Sequence, residues 1–138
     1  MGSSFPVCFA NAAALYESRV AVRLAGTALL LSTDIWAGAL IRRAELGGAF
    51  ATVIRKGDPR AGAVLVKVVD RRAGVAHLYS EATRGDGERV WMQPVNSRTE
   101  ADLDAYVERA VRVDPDLWIV EIDDAQGRHF LVEAVETR

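Results

Sequence analysis

His77 and Glu81 stand four residues apart in a β-rich run, and Lys67 and Glu121 interrupt two strongly apolar runs. On a regular strand successive side chains alternate, so His77 and Glu81 share one face. An imidazole within reach of a carboxylate is the simplest equipment for general acid–base chemistry. A lysine or glutamate flanked by apolar residues must reach water or find a partner, because burying a lone charge is costly. Two outcomes are open. The groups could surround a reacting atom, giving an enzyme of unknown reaction based on His77, Glu81 and Glu121. Or they could form cross-strand ion pairs, Lys67 with Glu121 or His77 with Glu81, each worth about 0.2–1 kcal/mol. The second is the simpler reading and is the one adopted.

Cations form the next group. Arg42, Arg43, Arg55, Lys67 and Arg84 are the candidate ligand-binding residues. They come from a helix end and from several strands, and a phosphate-binding surface follows if they converge. Residues 42–89 carry ten bases against six acids, and residues 90–138 carry five bases against eleven acids. Trp91 and Tyr79 could stack on bases. Against a nucleic-acid role, no sequence word of a known module occurs, and the pI is about 5.7. Trp36 and Trp118 are candidate partner-contact residues if exposed, although tryptophans in a small domain usually bury large areas.

Other chemistries lack equipment. Cys8, His77 and His129 are not at metal-ligand spacing. Asp114, Asp116, Asp123 and Asp124 read as cap and turn residues, without the spacing of a calcium loop. No metal is expected. Gly-x-Ser-x-Gly, Gly-x-Gly-x-x-Gly and the Gly-Lys-Ser/Thr phosphate loop are all missing, so no cofactor is expected. Arg84-Gly85-Asp86-Gly87 reads as a tight loop.

These side chains need a scaffold, and 138 residues suffice for one domain. With Cys8 as the single cysteine, no intrachain disulfide is possible. The longest apolar run, Leu24 to Leu31, is far shorter than a membrane span. Met1 to Pro6 has no basic start, so a secretory signal is not expected. The protein is read as cytoplasmic, with no membrane partner.

Residues 1–31 are rich in Ala, Val and Leu and poor in acids, and read as an N-terminal extension, disordered or loosely docked. Residues 32–138 read as a single domain. A helix is expected from about Asp34 to Leu46, started by Ser32 or Thr33 and stopped by Gly47-Gly48. Strands follow at Phe50–Arg55, Ala63–Val69, Val75–Ala82 and Arg89–Gln93, separated by turn residues. Three or four such strands joined by short turns suggest an antiparallel meander. Ser97 to Glu100 has the form of a capping box, opening a helix with Leu103, Tyr106, Val107, Ala110 and Val111 on one stripe. Leu117–Ile122 and His129–Val135 flank a turn and read as a closing hairpin. The fold class is α+β: a mostly antiparallel sheet, made of the meander and the C-terminal hairpin, with two main helices packed on one face.

Several of these words resemble a known family. Asp34-Ile35-Trp36, Arg42-Arg43, Val53 to Asp58, Ala61 to Val68, Asp114 to Trp118 and Phe130 to Glu133 are similar to the alphaproteobacterial domain of unknown function 1491. The resemblance covers roughly residues 33–133. It implies a small bacterial protein with no assigned activity and a domain that begins near Thr33. It supplies no functional residues. The expected function is therefore a non-catalytic accessory or binding domain for a protein partner or an anionic ligand. An enzyme on the sheet face and nucleic-acid binding through segment 42–89 are the alternatives.

Overall fold

The computed structural model describes residues 7–9 and 31–136. In chain order the elements are β1 (Val7–Phe9), α1 (Thr33–Leu46), β2 (Phe50–Arg55), β3 (Val64–Asp70), β4 (Val75–Arg84), β5 (Arg89–Met92), α2 (Glu100–Val113), β6 (Trp118–Asp123) and β7 (Val135–Glu136). Two helices and a sheet make the protein α+β. Within the expected extension 1–31, only β1 and Leu31 are described. The remainder of that expectation lies outside the described residues.

Six strands lie in the order β2-β6-β3-β4-β5-β7, and β1 pairs antiparallel with β4 at Ala82–Arg84. The sheet is mixed, not mostly antiparallel: β6 runs parallel to β3, and β7 parallel to β5. The cause is the return path. After β5 the chain crosses through the 14-residue α2, and a crossover of that length lets the next strand enter parallel. The expected meander survives as β3-β4-β5, while β6 separates β2 from β3.

The expected C-terminal hairpin is also corrected. Both sides of β6 are occupied, by β2 and by β3, so residues after Gly127 find no open edge there. They cross the α1 face instead and end as β7 beside β5, with the Trp91 amide donating to the Ala134 carbonyl.

The helices lie on opposite faces, not on one. Val64, Val66 and Val68 of β3 pack with Trp36, Ala37, Leu40 and Ala44 of α1. Leu65 and Val69 pack with Leu103 of α2, supported by Tyr106, Val107, Ala110 and Val111. A central strand covered on both sides is apolar at nearly every position, which is how Val64–Val69 reads.

α1 starts as expected, whereas α2 starts two residues later than a box at Ser97 to Glu100 implies. Ser32 and Thr99 occupy the cap positions without a side-chain cap bond. With Thr99 at the cap, Glu100 is the first helical residue and not the third, so the box cannot close; Glu100 pairs with Lys67, and Ser97 Oγ bonds the Asp102 carboxylate.

Candidate functional site

Three clusters of polar side chains are built by this fold. The first is a corner where the N-terminus of α1 meets the loops 56–62 and 114–117. Thr33 Oγ1 donates to the Gly62 carbonyl at 2.9 Å, and the amides of Thr33 and Asp34 donate to the carbonyls of Arg60 and Pro59. The Trp118 indole donates to the Asp58 carbonyl at 2.7 Å, and the Asp58 amide to the Asp116 carbonyl at 3.0 Å. Arg55 Nη1 donates to the Leu117 carbonyl at 3.0 Å. Gly57 lies so close to this loop that an added Cβ would stand 1.8 Å from the Asp116 carbonyl oxygen. Nearly every bond of the corner ends on backbone, so its polar residues fasten loops together.

The second cluster lies under α2. Lys67 is 6% exposed. Its ammonium donates to Glu100 and Asp104, each at 2.8 Å, and stands 3.4 Å from Glu121. Burial would lower its pKa, but the hydrogen bonds to Asp104 and Glu100 outweigh that and raise it. Arg71 continues the network to Asp123 at 2.7 Å and to Glu121 at 3.4 Å. Beside it a half-open cavity of about 180 Å³ is lined by Val69, Arg71, Ala76 and Glu100 among others. The ammonium is satisfied by the carboxylates gathered around it.

The third cluster lies at the β5 side of the sheet, with Glu81 and Arg89 on the α1 face and Arg84 and Glu136 on the opposite one. Glu81 is buried, with Arg89 Nε at 3.8 Å, and Arg89 also reaches Glu133 at 3.2 Å. Arg84 pairs with Glu88 at 2.8 Å and with Glu136. Trp36 and Trp91 stack nearby with ring centroids 5.4 Å apart.

The residues expected to do chemistry are divided by the sheet. His77, Tyr79 and Glu81 face α1, whereas Lys67 and Glu121 face α2. The expected pairing of Lys67 with Glu121 is present, and it lies beneath α2. His77 and Glu81 share a face, about 13 Å apart along β4 at the rise of a strand. Burial and then Arg98 lower the His77 pKa.

The five candidate cations are not brought together. Arg42 is exposed near the C-terminal end of α1, and Arg43 donates to the Phe130 carbonyl at 3.2 Å. Arg55 and Arg84 lie toward the same end of the sheet, with β6 and β3 between their strands. Lys67 lies mid-strand on β3, beneath α2. Trp36 and Trp118, the candidate contact residues, are 7% and 3% exposed and belong to the core. Among the described residues no group of three or more His, Cys, Asp or Glu side chains could hold a metal ion. No described helix is long and apolar enough to cross a membrane.

The family model for "Protein of unknown function (DUF1491)" matches residues 31–132. The chain belongs to the DUF1491 family. A crystal structure of a DUF1491 protein from Caulobacter crescentus CB15 is 78% identical, with 78% of this chain and 100% of that chain covered and a TM-score of 0.76. An NMR structure of a DUF1491 protein from the same organism is 76% identical, with 79% and 99% covered and a TM-score of 0.75. A solution structure of a protein from A. tumefaciens is 31% identical, with 76% and 97% covered and a TM-score of 0.63. No curated protein matches the chain.

The words that suggested DUF1491 from the sequence acquire a physical meaning here. Asp34-Ile35-Trp36, Arg55 to Asp58, Ala61-Gly62 and Asp114 to Trp118 all meet in the first corner. They are spent on closing the fold.

One surface feature escaped sequence reasoning. β2 is the outermost described strand on its side of the sheet, and its large residues point outward. Ala51 packs in the core with Val53 against it, while Phe50 is 70% and Ile54 57% exposed. Alternation in Phe-Ala-Thr-Val-Ile shows two faces but not which one is covered. Bulk alone would have put Phe50 inside.

Proposed function

We propose that this DUF1491 protein is a non-catalytic, cytoplasmic binding domain that engages a protein partner along the outer edge of β2. One observation carries the reading. Phe50 and Ile54 stand exposed on an edge strand that no other described strand covers. An open strand edge flanked by exposed bulky residues is a ready template for an added strand. Elsewhere the charged groups serve the fold. Lys67, Arg71, Arg84 and Arg89 are each held by carboxylates, and Arg43 and Arg55 by carbonyl groups. Anion binding has less support, since the candidate cations occupy different elements and both faces. Catalysis by His77, Glu81 and Glu121 has less support as well, since the sheet stands between Glu121 and the other two.

The test is site-specific photocrosslinking in the native host. A photoreactive side chain replaces Ile54 in the full chain, and another replaces the exposed Arg109 on α2 as a control. Adducts specific to position 54, and lost on Phe50→Lys, are expected. Identical adduct patterns at both positions would sink the reading.

A further inference from the structure

We propose that the occupant of the β2 edge is a second copy of this chain, paired antiparallel about a twofold axis at Thr52. The inference rests on the reading of β2 as the binding edge. A twofold contact requires a strand complementary to itself. Centred on Thr52, Phe50 of one copy lies beside Ile54 of the other, Thr52 beside Thr52, and Ala51 beside Val53. Aromatic with β-branched, and threonine with threonine, are favourable cross-strand neighbours. The bulky pairs fall on the face where Phe50 is exposed, and the small pair falls on the α1 face, where Ala51 already packs. Each face of the joined sheet is therefore matched in size.

The charges agree with this direction. Lys56 follows one end of β2, and the exposed Glu45 and Leu46 precede the other. Antiparallel pairing carries Lys56 of each copy toward Glu45 of the other, twice over. Parallel pairing would set Lys56 beside Lys56. The register shift between Val53 and Arg55 bends the strand there, so the shared ladder runs no further than Ile54. A ladder this short gives a small interface and a weak, reversible dimer.

Sedimentation of the purified full chain tests this. At about 200 µM, where a small interface is populated, the mass is expected to approach twice 15.0 kDa. Phe50→Lys combined with Ile54→Lys is expected to weaken association at least tenfold, with the circular dichroism unchanged. Glu45→Lys alone is expected to weaken it, and Lys56→Glu added to it to restore it; both residues are exposed, so folding is not at stake. A wild-type mass that stays at 15.0 kDa, or a dimer indifferent to all these changes, overturns the inference. Photocrosslinking at position 54 in a mixture of two differently tagged copies separates the two readings. Mixed-tag adducts support the second copy. Adducts in the host only with other proteins overturn the second copy and leave the β2 reading standing. No adduct specific to position 54 overturns both.

Discussion

Lys67 on β3 and Asp104 on α2 meet at 2.8 Å, thirty-seven residues apart in the chain. With Glu100 on the same ammonium, this bond fastens α2 to the sheet. The lysine is the single polar position in an otherwise apolar run from Val64 to Val69. It therefore sets how the helix lies across β3, which apolar contacts alone would leave free to slide.

Lys67→Met keeps the apolar stem and removes the charge. It leaves Glu100, Asp104 and Glu121 facing one another. Loss of a buried pair costs several kcal/mol, but Glu100 and Asp104 are partly exposed and screened, so the expected destabilisation is about 1–3 kcal/mol. Urea unfolding measures it. The pH dependence has a defined sign. The folded pKa of Lys67 is raised. Its contribution is thus complete below the unfolded value near 10.4 and is lost as pH rises through the folded one. Wild type should lose more stability than Lys67→Met as pH rises above about 10.4.

Glycines separate closure from mere flexibility. Gly57→Ala drives a Cβ into the Asp116 carbonyl, which belongs to backbone and cannot swing aside. A loss of about 2 kcal/mol or more is expected. Gly38 sits inside α1 with nothing within 4 Å of an added Cβ. Gly38→Ala should stabilise by about 0.5–1 kcal/mol, because alanine loses less backbone freedom on folding. Thermal melts of the two variants should move in opposite directions. A neutral Gly57→Ala would refute the account of the corner.

His129 provides a mild acid response. Its Nδ1 accepts the Leu131 amide at 2.9 Å, and its ring meets the edge of Tyr79 at 5.1 Å between centroids. Burial lowers its pKa below the usual 6.5. The neutral imidazole is the form the fold holds. Its contribution is therefore complete above the unfolded value and is lost as pH falls from there through the folded one. NMR titration should place the His129 midpoint below 6.5. A midpoint above it would show that Nδ1 is not held as an acceptor.

Legibility followed the range of the forces. The α1 start, the β3 run and the α2 stripe depend on neighbours within a turn or two, and the sequence shows them. The capping box looked sound locally, yet the helix begins two residues later and Glu100 pairs with Lys67 from 33 residues away. The hairpin after β6 looked equally sound, but pairing with β2 and β3 had already filled both edges. Both helices were expected on one face, because nothing in the chain announces that α1 and α2 take opposite sides. The candidate cations were named by type, while their partners are carboxylates and carbonyls supplied by other elements. Trp36 and Trp118 qualified as partner contacts only if exposed, and their large rings are buried in the core.

The crossing segment after Gly127 gives the last prediction. Asp124 is buried and accepts three bonds from Arg128, from its amide at 2.8 Å and from Nε and Nη2 at 2.9 Å each. Arg128 Nη2 also donates to the Gly47 carbonyl at 2.8 Å, and its guanidinium lies 4.9 Å from the centre of the Phe130 ring. Phe130 has a left-handed backbone, φ 59°, which costs a non-glycine residue about 1–2 kcal/mol. Something must hold it there, and Asp124 through Arg128 is one of the clamps. The Arg128 hydrogen bond, against the opposing effect of burial, lowers the Asp124 pKa. Its contribution is present above the unfolded value near 3.9 and is lost as pH falls through the folded one. Asp124→Asn keeps the shape but not the charge, so acid should destabilise it less than wild type below about pH 4. Amide exchange at Leu131 and Trp91, whose bonds belong to this crossing, should quicken in Asp124→Asn while the β3 amides stay protected. Equal quickening in β3 would mean that Asp124 supports the whole sheet and not the crossing alone.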